Sequence, residues 1–485
     1  MQDIKVRLAP SPTGLFHIGS ARTALFNWLV AKKYDGKFFV RIEDTDKERS
    51  KDEYMQSILD ELKWIGLDHD DVSLQSNNID RHRQVASEML EKGLVYKCYL
   101  SAGEREKMRA ENMKTGRALR SPWRNENNGL KIPENVEPSI RFRVHEGKTT
   151  LVDAILGETT IDNSTIEDFI ILKPNGDPLY NFAVVVDDHD MEISHILRGS
   201  DHHTNSFKQA LVYKSLNWEI PVLVHMPVIL ADDGKKMSKR TGGNTIQEIR
   251  EMGILPTAFI NYIVHLGWGY KDLEFMSTKE MIDLFEYTDI NVSPAHWDGQ
   301  KLLSFNAKYI TQTDDDELVR LIVPILQDLL KKNSQETLLS LDDKLFLINI
   351  MPLLKVRAKT LVELANLILF YFVKGRLDID EKNMKILYKS VKIGDTEDTV
   401  DSQFILKNVA EIIRSCSVLD EETIETKLNE FADKNGIKMR SISKFIYIAL
   451  TFNEFGPPLY ALITWLGKDR ILNRITDLIT IIDGK

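Results

Sequence analysis

Cysteine is nearly absent from this chain of 485 residues: only Cys98 and Cys416 occur. Two are too few for a disulfide framework. Neither has a CxxC or histidine partner at zinc-ligand spacing, so a reducing interior and no metal site are expected. Long apolar runs are also missing. The longest, around 361–373, is interrupted by Glu363 and Asn366 and is too short and too polar to span a bilayer. The first residues, Met1–Arg7, lack the apolar core of a signal peptide. These absences predict a cytoplasmic protein with no membrane partner. Basic excess is lacking too, with a net charge of −10. That argues only mildly against a nucleic-acid partner, because phosphate binding is carried by local basic patches. No internal repeat or low-complexity tract is present. What is present is a chain 43% hydrophobic, long enough for about three or four domains.

Residues 2–9 read as a short buried strand, followed by a Pro/Gly-rich turn, an amphipathic helix from Ser20 to Lys33 and a second strand at Phe38–Ile42. This β-turn-α-β start predicts a parallel sheet with a right-handed crossover. Further strands are expected at Thr149–Leu156, Phe169–Lys173, Phe182–Val186 and Val222–Leu230, with a helix over 201–217. Ser101…Glu104 and Thr245…Glu248 are capping boxes that open helices. Residues 114–138 read as a loop-rich insertion. From about 251 amphipathic helical patterns dominate: Asp316–Lys332, Leu341–Val373, Phe404–Arg414, Glu421–Lys434 and Ile442–Leu450. The outline is an α/β front half with one insertion and an all-α rear half.

In a parallel α/β sheet ligands lie beyond the carboxyl ends of the strands, where Ala9-Pro10-Ser11-Pro12-Thr13-Gly14 falls. Strand alternation would turn Arg7, Ala9 and Ser11 into one cleft. His17 and Gly19 fall where the next helix begins, a place that favours phosphate, and Gly19 would let a base or ribose approach the backbone. A plain turn with a surface histidine fits the same residues. Lys235-Lys236-Met237-Ser238-Lys239-Arg240, bounded by Gly234 and Gly242, carries four cations. Such a loop suits a mobile clamp on a leaving pyrophosphate, or else a solvated basic loop.

Taken together, Pro10–Gly14 with His17-Ile18-Gly19-Ser20, and then Lys236–Arg240, resemble the two signatures of class I aminoacyl-tRNA synthetases. Ser20 departs from the family motif, which has a second histidine there; small residues are common at this position in the glutamyl branch. Arg41–Asp46, Pro178–His189, His195–His202, Leu266–Trp268, Phe305–Ile310 and Gly456–Lys468 are similar to segments of bacterial-type glutamyl enzymes. The resemblance spans nearly the whole chain and is weakest across 105–140 and 375–435. It implies a Rossmann-type catalytic domain at 1–98 and 180–250, an inserted α+β connective domain at 99–179 for the acceptor stem, a stem-contact region at 251–320 and an all-α anticodon-binding domain at 321–485.

The implied reaction activates glutamate with ATP, accompanied by Mg2+, and passes it to tRNA-Glu. Glutamate needs cations in fork geometry and at least one acid; Arg7 and Arg198 can each hold a carboxylate bidentately. By resemblance, Arg198 and Tyr180 read the side-chain carboxylate, Glu43 takes the ammonium, and Ala9, Ser11 and Val184 shape the pocket. Arg198 could instead form a surface ion pair with Asp201, and Glu43 could be a solvated strand end. His17, Gly19 and Lys239 are the ATP candidates, with Asp201 and His202 near the adenosine; Lys236 and Ser238 join Lys239 in the loop. Some relatives bind zinc in the insertion, but Leu100 stands where the second cysteine would be, so no zinc is expected. Lys114, Arg117, Arg120 and Arg124 are candidate acceptor-stem contacts or a solvated loop. Arg357 resembles the residue that reads the last anticodon base, and equally suits a helix surface. The family's usual form is a monomer. Charging of tRNA-Gln as well, a glutaminyl enzyme, or a catalytically dead tRNA-binding paralogue remain as alternatives.

Overall fold

The computed structural model describes residues 3–46, 49–113, 118–125, 129–231, 234, 245–333, 338–373, 379–394 and 396–484. The chain forms two compact units, one of Met1–Glu251 with Pro256–Leu302, the other of Met252–Leu255 with Leu303–Lys485.

The first unit begins with β1 (Lys5–Leu8), α1 (Ile18–Lys33), β2 (Lys37–Ile42), α2 (Asp52–Trp64), β3 (Asp71–Leu74), α3 (Ile79–Glu91) and β4 (Val95–Cys98). It continues with α4 (Ala102–Met113), β5 (Ser139–Phe142), β6 (Lys148–Asp153), β7 (Gly157–Asp162), β8 (Ile170–Leu172), α5 (Tyr180–Asp190), β9 (His195–Gly199), α6 (His203–Ser215) and β10 (Val222–Met226). Strands β1, β2 and β3 are parallel neighbours, as the β-turn-α-β pattern predicts. Strands β9 and β10 are parallel, and β10 pairs β6, which pairs antiparallel with β7. The two sheets meet where β9 comes alongside β1: Ser194 N donates to Lys5 O at 2.9 Å, and Lys5 N to Ser194 Oγ at 2.9 Å. The chain therefore leaves β1 toward β2 on one side and returns through β9 on the other. That gap is a topological switch point, where open α/β sheets bind ligands. Strands β5 and β8 of the inserted region form an antiparallel sheet with β4.

Both capping boxes form. Glu104 N donates to Ser101 Oγ and Ser101 N to Glu104 Oε2. Thr245 and Glu248 make the same reciprocal pair. One expectation is overturned: Phe182–Val186 is not a strand but the centre of α5. A β-branched run buried on all sides has no periodicity to separate helix from strand, and Phe182–Asp188 are all buried.

Among the described residues the second unit is helical, apart from a two-residue antiparallel pair at Val391–Lys392 and Thr399–Val400. Its helices include Asp315–Lys332, Ser402–Ser415, Glu421–Lys434 and Met439–Thr451, close to the expected bounds. The stretch 341–373 is two helices, Leu341–Leu354 and Leu361–Phe372. Thr360 breaks it by capping the second helix: its side chain accepts from Glu363 N at 3.0 Å. Arg357 thus lies, exposed, in the short 3-10 helix Lys355–Arg357 that follows Leu341–Leu354. No helix among the described residues is long and apolar enough to cross a membrane.

Candidate active site

A cleft of about 520 Å³ opens at the switch point, lined from β1 and the residue after it by Arg7, Leu8 and Ala9, from α1 by Gly19, Arg22 and Thr23, and from β9 by Leu197, Arg198 and Gly199. Tyr180, Asp201 and His202 close it, together with His17 and Val228. A neighbouring hollow shares Ala9, Pro10, His17, Tyr180 and His202 and adds Ser11 and Glu43. The segment after β1 and the segment after β9 therefore contribute to one continuous site.

His17 caps α1: its backbone is extended (φ −110°, ψ 161°), and its Nδ1 accepts from Ser20 N at 3.2 Å. Gly19 lies beneath that ring. A Cβ there would stand 3.2 Å from the His17 ring atoms, tighter than ordinary contact. Thr245 pairs with His17 in a β-bridge, and Ile246 N donates to Phe16 O at 2.9 Å. Upstream, Val228 and Ile229 line the cleft. Both flanks of the basic loop thus adjoin the cleft, while Lys236, Ser238 and Lys239 themselves lie outside the described residues, as do Lys114 and Arg117.

Arg7 is buried and its Nε and Nη2 donate to the two oxygens of Asp188 at 3.0 and 3.1 Å. Arg41 Nη1 donates to the same carboxylate at 2.6 Å. Asp187 and Asp188 end a helix, where negative charge opposes the macrodipole. The arginines offset this, joined by His82, Gln75 and Asn78, which contact Asp187 at 2.8, 2.7 and 3.0 Å. Burial raises the Asp188 pKa, but Arg41 and Arg7 outweigh it and hold it below the ordinary value. Burial likewise works against the Arg41 charge, yet Asp188, Glu43 and Asp187 prevail and raise its pKa. With its Nε edge held by Asp188, Arg7 keeps Nη1 and the second Nη2 proton, the end-on fork, for a ligand.

Arg198 differs. It is 6% exposed, and its partners are His225 Nε2 at 3.2 Å, Ser206 Oγ at 2.6 Å, Gln209 Oε1 at 2.7 Å and Tyr180 OH at 3.4 Å. None is a carboxylate. The surface pair with Asp201 does not form, and Nε and Nη2 are engaged, so a ligand would meet Nη1 and not a full fork. Burial lowers the Arg198 pKa. Glu43 is the converse case: among the described residues its ion pair is a long one, 3.4 Å from Arg41 Nη2, and burial raises its pKa despite Arg41 and Arg7. It is buried and not a solvated strand end. Tyr180 OH also meets His202 Nδ1 at 3.1 Å. Val184 corrects the expectation for it: it is 1% exposed inside the core cluster with Phe182 and Ile196, and does not line the cleft.

In the insertion, Arg124 Nη1 donates to both Asp168 oxygens at 2.7 and 2.8 Å, and Arg120 Nη2 to Asn163 O at 2.9 Å. These arginines tie the loop to the unit and are not simply solvated. Cys98 Sγ lies 3.3 Å from Ser121 Oγ. Sequence reasoning missed Asp153 and His225, which lie in strand patterns without a recognisable motif; the register pairing His225 with Arg198 was the signal needed.

A family model described as tRNA synthetases class I (E and Q), catalytic domain, matches residues 3–304, and one described as an anticodon binding domain matches 317–479. Glutamate–tRNA ligase 2 of Brucella ovis is 40% identical over 98% of both chains. The chain belongs to the glutamyl branch of the class I tRNA synthetases. Glutamate–tRNA ligase 1 of Bartonella bacilliformis is also 40% identical over 98% of each chain. Among solved structures, this synthetase chain is similar to a glutamate tRNA ligase from Elizabethkingia meningosepticum in complex with its amino acid, with TM-score 0.78, 27% identity and 99% of both chains covered.

Proposed function

We propose that this chain is a glutamate–tRNA ligase. The glutamate α-carboxylate attacks the ATP α-phosphorus and pyrophosphate leaves; the terminal ribose hydroxyl of tRNA-Glu then attacks the mixed anhydride and AMP leaves. Positioning and electrostatics can drive both steps without an acid–base triad. ATP enters as its magnesium complex, the metal carried by the phosphates.

The observation that carries the reading is the buried Arg198 guanidinium, held among the described residues by neutral acceptors. A buried charge is costly until an opposite charge reaches it, so this position favours an anionic side chain over an amide. Glu43, an anion with too little compensation, suits the ammonium at the other end. Arg7 Nη1 suits a carboxylate, with Ala9 and Ser11 shaping the walls. His17 and Gly19, at the amino end of α1, suit the ATP phosphates. Asp201 and His202 face the adenosine, and Lys236, Ser238 and Lys239 form the pyrophosphate clamp. Arg357, exposed in its turn, reads the anticodon; residues 99–179 and 251–320 follow the acceptor arm. The enzyme acts as a cytoplasmic monomer and uses no structural zinc.

ATP–pyrophosphate exchange with glutamate and with glutamine, with and without tRNA, tests this. Exchange with glutamate is the expected result, requiring tRNA as in relatives of this branch. Exchange with glutamine alone overturns it, and no exchange under any condition points to a dead paralogue. Lys239→Ala is expected to lower turnover far more than tRNA affinity. Charging of purified tRNA-Glu and tRNA-Gln distinguishes the discriminating from the non-discriminating form.

A further inference from the structure

Beside Arg198 lies a buried pair that the reaction above does not use. In the parallel register of β9 and β10, His225 stands directly opposite Arg198. On its other side β10 meets β6, whose last residue is Asp153. All three side chains are buried. Asp153 Oδ2 lies 2.6 Å from His225 Nδ1 and accepts from His225 N at 3.1 Å, while its Oδ1 accepts from Ile155 N and Leu156 N at 2.9 Å each.

These contacts fix the histidine tautomer. A carboxylate only accepts, so Nδ1 carries the ring proton and Nε2 is bare. The bare Nε2 can then accept from Arg198 Nε at 3.2 Å and from the Ser206 hydroxyl at 3.0 Å. That hydroxyl oxygen in turn accepts from Arg198 Nη2 at 2.6 Å. The opposite tautomer would set its N–H against the Arg198 Nε–H, a group that can only donate, and leave a bare Nδ1 facing the Asp153 carboxylate.

We propose that Asp153 and His225 are positioning residues for amino-acid selection, holding Arg198 in one orientation through a neutral imidazole that fixes its guanidinium without cancelling its charge. The arrangement at Arg7 is the contrast. A carboxylate placed where His225 stands would orient Arg198 equally well but neutralise it, as Asp188 does Arg7. Interposing the ring keeps the Asp153 charge one imidazole away. This inference rests on the reading of Arg198 as the group that meets the substrate carboxylate.

The other groups facing His225 are His203, edge-on at 5.1 Å between ring centroids, and Ser206, both from α6. Burial, Arg198 and His203 favour neutral His225 while Asp153 opposes them, and its pKa falls below the ordinary 6.5.

The test is a set of full-length variants assayed by ATP–pyrophosphate exchange in the presence of tRNA. Asp153→Asn keeps an oxygen for the Ile155–Leu156 turn but no longer dictates the tautomer. It is expected to raise KM for glutamate about 10- to 100-fold, the scale of a hydrogen bond to a charged group, with KM for ATP little changed. His225→Gln supplies an amide oxygen near the place of Nε2 and has no tautomer to set. It should retain most of the glutamate affinity, and adding Asp153→Asn to it should have little further effect. Should Asp153→Asn not fold, the pH profile decides. Wild-type KM for glutamate is expected to rise as pH drops below the ordinary histidine range, and that of His225→Gln to stay flat. Equal rises in KM for ATP and glutamate, an Asp153→Asn loss of the same size in both backgrounds, or matching pH profiles overturn the inference while leaving the functional reading intact. A wild-type enzyme that activates no glutamate overturns both.

Discussion

On the β1 side of the cleft, Arg7 and Arg41 share the carboxylate of Asp188. On the β9 side, Arg198 has four neutral partners and, among the described residues, no ion pair. Both sides bury arginine to a similar degree, 3% exposure for Arg7 and 6% for Arg198. Burial alone therefore does not mark a ligand-binding charge. What differs is compensation: the first cluster is electrically closed and holds α5 against β1 and β2, whereas the second leaves a charge to be met from outside.

The largest effect is expected on the closed side. Asp188→Asn takes from buried Arg7 its carboxylate and from buried Arg41 the nearest of three, and should destabilise the protein by about 3–5 kcal/mol, read from urea unfolding midpoints. A loss under about 1 kcal/mol would deny that the cluster is closed by Asp188. Arg198→Met should act in the opposite manner. It removes an uncompensated charge, so stability should hold or rise, while kcat/KM for glutamate falls by roughly 30- to several-thousand-fold, the range for truncating one partner of a buried charge pair. If this variant is as unstable as Asp188→Asn, the contrast between the two sides fails.

Smaller effects sharpen the picture. Gly19→Ala would press a methyl onto the His17 ring 3.2 Å away. The ring must move, and KM for ATP should rise by up to roughly tenfold with KM for glutamate unchanged; the reverse pattern would separate His17 from the ATP end. The smallest effect is that of pH on stability. Burial lowers the pKa of His195, His225 and His265 from 6.5. The folded chain then binds fewer protons than the unfolded one, so this contribution is present above the unfolded value and is lost as pH falls through it. Each such histidine contributes a slope of at most about 1.4 kcal/mol per pH unit. Urea midpoints should decline from pH 7.5 to 6, and His225→Gln should flatten part of that decline.

Much of this was legible in the sequence, because turn chemistry and motif order are local. Pro10–Gly14, the two capping boxes and the helical rear half are written in neighbouring residues. The partners that decide chemistry are not. Asp188 lies 181 residues from Arg7, and His225 lies 27 from Arg198; the packing of α5 brings the first pair together and the sheet register the second. The run Phe182–Val186 misleads because a helix buried on every side carries no polar face to reveal its period. Val184 misleads for the same reason, since its place inside α5 turns it into the core. Arg357 depends on the break at Thr360, a cap hidden inside a long apolar stretch.

The claim that the uncompensated charge of Arg198 selects the substrate is tested most directly by the ratio of kcat/KM for glutamate to that for glutamine, measured by ATP–pyrophosphate exchange with tRNA present, in the wild-type enzyme and in Arg198→Met. The account predicts a wild-type ratio strongly favouring glutamate, which collapses in the variant because glutamate activity is lost while glutamine activity barely moves. A parallel fall in both, with the ratio preserved, would contradict it.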